Sequence, residues 1–304
     1  CDSSGGGAPA IPWLAALLSL ILPGLGQLHV GRPRRAFGFL AVVALLDVTA
    51  GLGLWSFGAL LERAGGFWLT TGLVLAWLLF WLAAIVDAYL AARRAEAAPP
   101  ALWQRWYVCV GIFVLWGLLR ELGGIDPAGD TESYTIPSGS MMPSIVVGER
   151  VLGVDIDPGD GLPERGTIVT HVYPETGNTY IRRVIGLPGD TVEMREGMLH
   201  LNGVAAEMEE IGMFSDDQGR EIAMFRVTLP GGTSYPVLDM RDGSPLDTAS
   251  KTTLGPDQLY LLGDNRDNAK DSRIDGPVPA ATLEARVLYV YWSTDWGRIG
   301  RRVD

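Results

Sequence analysis

The chain has 304 residues, 48% of them hydrophobic and 19% charged, with two cysteines. That composition excludes a disulfide-stapled miniature fold and a disordered polar chain. Eight arginines against five acidic residues before position 121 leave +3 there, so the net −11 puts −14 on residues 121–304; nucleic acid is not an expected partner of so acidic a segment.

In chain order, residues 1–10 read CDSSGGGAPA, a small-residue tether that starts at a cysteine. A leading cysteine before a flexible Ser/Gly run resembles a mature bacterial lipoprotein, which implies a lipid on Cys1 and an N-terminus on the outer face of the membrane. Four apolar stretches follow within 11–120, at about 11–30, 35–61, 67–92 and 102–119. Each is long enough as helix to cross ~30 Å of hydrocarbon, and a four-helix membrane domain is expected. In the first stretch Pro23, Gly24 and Gly26 offer an alternative, a broken helix in a re-entrant hairpin. Arg32, Arg34 and Arg35 precede the second stretch, and Arg93, Arg94 and Arg105 precede the fourth. The positive-inside rule therefore makes both loops cytoplasmic and puts residues 121–304 outside. Eight of the ten tryptophans lie before residue 120, and those near segment ends suit an interfacial belt. Asp47 and Asp87 are expected to face other helices or polar partners rather than lipid, and Cys109 to serve as inert packing.

Past residue 130 the apolar runs shorten into β-rich segments between Gly/Pro turns: GERVLGVDI, GTIVTHVY, YIRRVIGL, MLHLNG, LYLLG and ARVLYVYW. A mostly-β domain is predicted over 121–304, with 208–250 read as inserted surface loops or a small subdomain. His29, His171 and His200 share no ligand spacing, so no metal site is expected, and no cofactor motif is present.

Three segments carry a family resemblance. TIPSGSMMPSIVVGERVLG (135–153), YIRRVIGLPGD (180–190) and GDNRDNAKDSR (263–273) occur in the order of the boxes of bacterial type I signal peptidases, the membrane-anchored S26 serine proteases that remove signal sequences. The resemblance implies a coiled, largely antiparallel β fold against the outer membrane face. It matches Ser140 to the nucleophile and Ser138 to a hydroxyl of the oxyanion hole. Arg183, Asp264, Arg266, Asp271 and Arg273 match structural positions of the boxes.

The same resemblance exposes two departures. The family's general base is a lysine kept neutral by burial, and the aligned residue here is Arg182. An arginine with a pKa of ~12.5–13.8 is neutral in about one molecule per million at pH 7, a handicap of roughly 8 kcal/mol. The family serine that hydrogen-bonds that lysine is Ala269 here. The only lysines are Lys251 and Lys270; Lys270 lies among Asp267, Asp271 and Asp275, which favour its charged form, and His171 has no recognisable orienting partner. Ser138 and Ser140 are accordingly read as vestigial, and Arg182 and Arg183 as partners of domain carboxylates. The expected function is a non-catalytic signal-peptidase-like subunit of a larger membrane complex, held in the bacterial inner membrane with its β domain on the periplasmic side. The alternatives are an active signal peptidase and a signal-sequence binder that does not cleave.

Overall fold

The computed structural model describes residues 10–51, 57–63, 65–95, 106–123, 131–157, 159, 161–173, 176–216, 219–240 and 243–303. Cys1 and most of the tether lie outside them, as does Arg105. The chain forms two compact units, Cys1–Gly129 and Asp130–Asp304.

The first unit is helical: α1 (Pro12–Ile21), α2 (Leu25–His29), α3 (Pro33–Gly51), α4 (Phe57–Leu61), α5 (Gly66–Arg93) and α6 (Trp106–Gly123). Of the two readings of the first apolar stretch, the broken helix is the one observed. The first stretch breaks at Leu22–Gly24, because Pro23 has no N–H to give a helix and Gly24 adopts φ +108°. A Cβ on Gly24 would lie 2.7 Å from the carbonyl oxygen of Ala36, so glycine alone fits this corner. The ten residues of α1 reach only ~15 Å, half of a hydrocarbon core. Among the described helices, α5 alone, with 28 residues, is long and apolar enough to cross a membrane by length and composition.

Both intrahelical aspartates are engaged by neighbouring helices. Trp116 Nε1 donates to Asp47 at 2.7 Å, with Arg120 3.8 Å away. Asp87 accepts from Gln27 Nε2 at 3.2 Å and from Arg35 at 2.5 Å. Gln27 itself is fully buried, accepting from Ser19 Oγ and donating to the carbonyl of Ala84. These bonds join α1, α2, α3 and α5 at one point, where an unpaired polar group would be costly.

The second unit is mostly β. Its strands are β1 (Thr131–Thr135), β2 (Arg150–Asp155), β3 (Ile168–Val172), β4 (Thr179–Gly186), β5 (Thr191–Arg195), β6 (Met198–Leu201), β7 (Val204–Ala205), β8 (Glu207–Ser215), β9 (Glu221–Thr228), β10 (Ser234–Leu238), β11 (Ala249–Thr253), β12 (Gln258–Leu262), β13 (Val278–Pro279) and β14 (Leu283–Trp292), with a short α7 (Ser272–Asp275). Seven of them form an antiparallel sheet in the order β1-β2-β14-β3-β4-β12-β13. Two smaller sheets run β10-β9-β8 and β11-β5-β6-β7.

Of the two readings of residues 208–250, surface loops are corrected and paired strands are observed. These residues contribute β8, β9 and β10, whose Phe225, Val227, Tyr235 and Val237 are buried in the same core as Ile185, Val192, Leu201 and Tyr260. Pro236 falls between the buried Tyr235 and Val237 of β10, and a proline is tolerated in a strand chiefly at an edge, where its missing N–H leaves no ladder bond unmade. β10 is the outer strand of its sheet.

Candidate active site

The serine turn grows out of β1. Ser138 is still extended, and Gly139–Met141 then closes one turn of 3-10 helix that buries Ser140 to 7% exposure. The third box holds this turn from behind. Asn265 donates its backbone N–H to the Ser140 carbonyl at 3.0 Å and its side-chain amide to the Gly139 carbonyl at 3.0 Å. Gly263 lies so close that a Cβ there would stand 2.7 Å from the Ser140 carbonyl oxygen and 2.3 Å from the Ala269 Cβ. Ser138 Oγ and Ser140 Oγ are 3.3 Å apart, and Ser138 is exposed.

Strand β4 supplies the two arginines. Successive strand residues point to opposite faces, and Arg182 and Arg183 diverge accordingly. Arg183 meets Asp264 through two bonds, at 2.8 and 2.7 Å, both residues being fully buried. It also donates to the Gly166 carbonyl and to Ser144 Oγ, and its guanidinium lies 4.6 Å from the centre of the Tyr235 ring. Arg183 is thus an ion-pair partner, as the sequence reading expects.

Arg182 departs from that expectation, because it reaches no carboxylate among the described residues. Its Nη1 donates to Ser140 Oγ at 3.0 Å and to the Ile181 carbonyl; Nε and Nη2 donate to the Lys270 carbonyl at 3.1 and 2.6 Å. The nearest acids are committed elsewhere: Asp271 is clasped by Arg273 at 2.8 Å, and Asp275 pairs with Lys270 at 3.3 Å. Burial pulls the Arg182 pKa below its ordinary value, opposed by the charges of Asp271 and Asp275; the group remains a cation and a pure donor.

The remaining box residues form a scaffold. Asp271 accepts from the Gly263 backbone N–H at 3.0 Å and caps α7 through Arg273 N–H. Arg273 donates onward to the Arg266 carbonyl at 2.7 Å, and Arg266 donates to Tyr235 Oη at 3.2 Å. Ala269 is buried at 4% exposure and bears no group to orient a base. Ser144, Gly263 and Asn265 lie inside the boxes but are given no role by the sequence, and Tyr235 lies outside them, its one signal being the apolar alternation with Val237.

Neither substitute base is in place. Lys270 Nζ pairs with Asp275 and lies 4.8 Å from the Tyr173 ring centre, and the hydrogen bond to Asp275 raises its pKa. His171 is buried in β3 and stacked on Tyr180, with no hydrogen bond at Nδ1. Burial, then the charge of Arg182, pushes its pKa down to about 4. It has no contact with Ser140 among its hydrogen bonds or ring contacts.

A serine seated on a strand-to-turn junction, beside a buried cation and two hydrogen-bonded boxes, defines a serine-hydrolase type of site in which, among the described residues, a guanidinium is the group hydrogen-bonded to the buried serine from β4. The family model described as signal peptidase, peptidase S26, matches residues 125–292, more than half of the chain, and this chain belongs to that family. Among curated relatives, Signal peptidase I of Rickettsia bellii (strain OSU 85-389) is 31% identical over 191 residues, covering 54% of this chain and 66% of that protein. Signal peptidase I of Rickettsia akari (strain Hartford) is 27% identical over 219 residues, covering 63% and 80%. The match thus spans just under two thirds of the length of the Rickettsia bellii relative. A crystal structure of a signal peptidase I from Enterococcus faecalis V583 is 27% identical, covers 41% of this chain and 97% of its own, and has a TM-score of 0.26.

Proposed function

We propose that this chain is a signal-peptidase-family protein without peptidase chemistry, serving as an accessory subunit of a larger complex of the bacterial inner membrane. One observation carries the reading: Arg182 Nη1 donates to Ser140 Oγ at 3.0 Å. A serine becomes a nucleophile when a neighbour accepts its proton. The group that neighbours it here is a guanidinium, which has no lone pair to accept one. A domain that keeps its scaffold and lacks its base is retained for its surfaces. In this reading α5 anchors the chain and the β unit lies on the periplasmic side.

The deciding experiment incubates the full chain in detergent with a preprotein. No processing above the level of Ser140→Ala is expected. The names of the relatives favour a second reading, an active signal peptidase with Ser140 as nucleophile, and cleavage that vanishes in Ser140→Ala would establish it. Purification from the native source in mild detergent should recover stoichiometric partners. A lone monomer would argue against the accessory role and toward a signal-sequence binder whose partner is transient.

A further inference from the structure

The family model begins at residue 125, so the helical unit that precedes it takes no role from the boxes. Its first two helices fold back along α5. Ala15 and Val30 are buried together with Ala88, Ala91 and Ala92, and Ala10 and Ala95 pack at the margin of the same cluster. Further along α1, the Leu20 carbonyl accepts from Trp81 Nε1 at 3.1 Å. α1 therefore runs antiparallel to α5 from the level of Ala91 to that of Trp81, a depth of ~15 Å or half a hydrocarbon core, and α2 returns to the starting level. A Cβ on Gly26 would stand 2.0 Å from the Ala15 carbonyl oxygen and 2.8 Å from the Ala88 Cβ, so a glycine in the return arm is what lets the hairpin close on α5. The hairpin enters and leaves at one end of the unit.

That closure gathers arginines. Arg32 and Arg34 leave the hairpin just after Val30, and Arg93 and Arg94 close α5 just after Ala92. Arg35 ties the two segments by its 2.5 Å pair with Asp87, which spends the carboxylate of this corner. Arg34, Arg93 and Arg94 are exposed and Arg32 is half-buried, and none of these four has a carboxylate partner among the described residues. Trp13, at the start of α1, and Phe37, in the first turns of α3, are 65% and 61% exposed. Guanidinium forks with apolar rings beside them match a phosphodiester that carries acyl chains; a nucleic acid or an acidic protein would leave the rings in water. We propose that Arg32, Arg34, Arg93 and Arg94 form a binding site for the phosphate headgroup of an anionic phospholipid, with its chains beside Trp13 and Phe37.

This site goes beyond the non-peptidase reading and rests on one part of it, the anchoring of the chain by α5. Native mass spectrometry of the full chain in a zwitterionic detergent offers it phosphatidylglycerol and phosphatidylcholine of the same acyl chains in equal amounts. Phosphatidylglycerol should be retained as a single adduct, at least ~10-fold over phosphatidylcholine, as expected where several arginines meet a net negative headgroup. Arg32→Gln with Arg34→Gln, and Arg93→Gln with Arg94→Gln, should each lower that ratio several-fold, at largely exposed positions that do not hold the fold. Arg63→Gln, beyond the other end of α5, should leave it unchanged. Inorganic phosphate at the concentration of the lipid should not displace the adduct. Equal retention of the two lipids, a ratio unchanged in either double variant or lowered as far by Arg63→Gln, or displacement by inorganic phosphate would overturn the inference. Alkaline extraction of membranes separates the two failures. A chain that stays in the membrane without a lipid preference loses this site alone, whereas a chain released to the supernatant loses its α5 anchor and the site with it, whatever Ser140 does.

Discussion

Position 182 shows how far one side chain redirects a site. Lysine can be stripped of its proton by burial, but arginine keeps its charge under the same burial. Ala269, buried beside Gly263, stands at the position of the family serine. Arg182→Lys combined with Ala269→Ser should therefore return weak, Ser140-dependent preprotein processing, with Arg182→Lys alone doing less; gel-based processing assays measure both. A different outcome is expected at the neighbouring pair. Asp264→Asn would leave the Arg183 guanidinium buried without its counter-charge and should cost about 3–5 kcal/mol, visible as a lowered denaturant midpoint of the β unit. The boxes, and so the identity of Ser138, Ser140, Asp264 and Arg273 as site residues, were legible in the chain. That Arg183 meets a carboxylate and Arg182 does not was illegible, because both stand in one strand and differ only in the face they present.

Among the elements, all six β segments recognised by alternation are strands: β2, β3, β4, β6, β12 and β14. Four of the eight others have a physical reason for being missed. β1 is polar and largely exposed, β7 and β13 are two-residue pairings, and β10 is disguised by Pro236. In the helical unit both the apolar runs and the break in the first were visible, since Pro23 and Gly24 divide that run as its second reading allows. Strand β3 also carries a titration. His171 takes a proton near 6.5 when unfolded and only near 4 when folded. Between those values the unfolded chain binds the extra proton, so stability is full above pH 6.5 and declines as the pH falls toward 4, by up to about 3 kcal/mol. Denaturant midpoints across pH 4–7 should show this slope, and His171→Phe should flatten it.

For the whole molecule, the insertion changes meaning. A segment taken for surface loops invites deletion, but removing 208–250 would empty Phe225, Val227, Tyr235 and Val237 from the main core of the β unit. With large core side chains worth ~3–5 kcal/mol each on truncation, that deletion should yield insoluble protein or an unfolded β unit by circular dichroism. Surface changes at exposed Glu209 and Met213 in β8 should leave the fold intact, and are the better probes of partner binding. The unit boundary was foreshadowed by the shift from apolar runs to alternating strands, whereas the contact between insertion and third box was not, since it joins residues about thirty apart in no shared motif. Leu238 in β10 donates its N–H to the Asp264 carbonyl, and the N–H of Arg266 returns to Leu238, each at 2.8 Å. An insertion stitched this way to the box behind the serine cannot open by itself. Amide hydrogen exchange at Leu238 and at Arg266 should therefore follow a single opening event with one protection factor, making the lifetime of the serine turn a property of the strand that the motif does not contain.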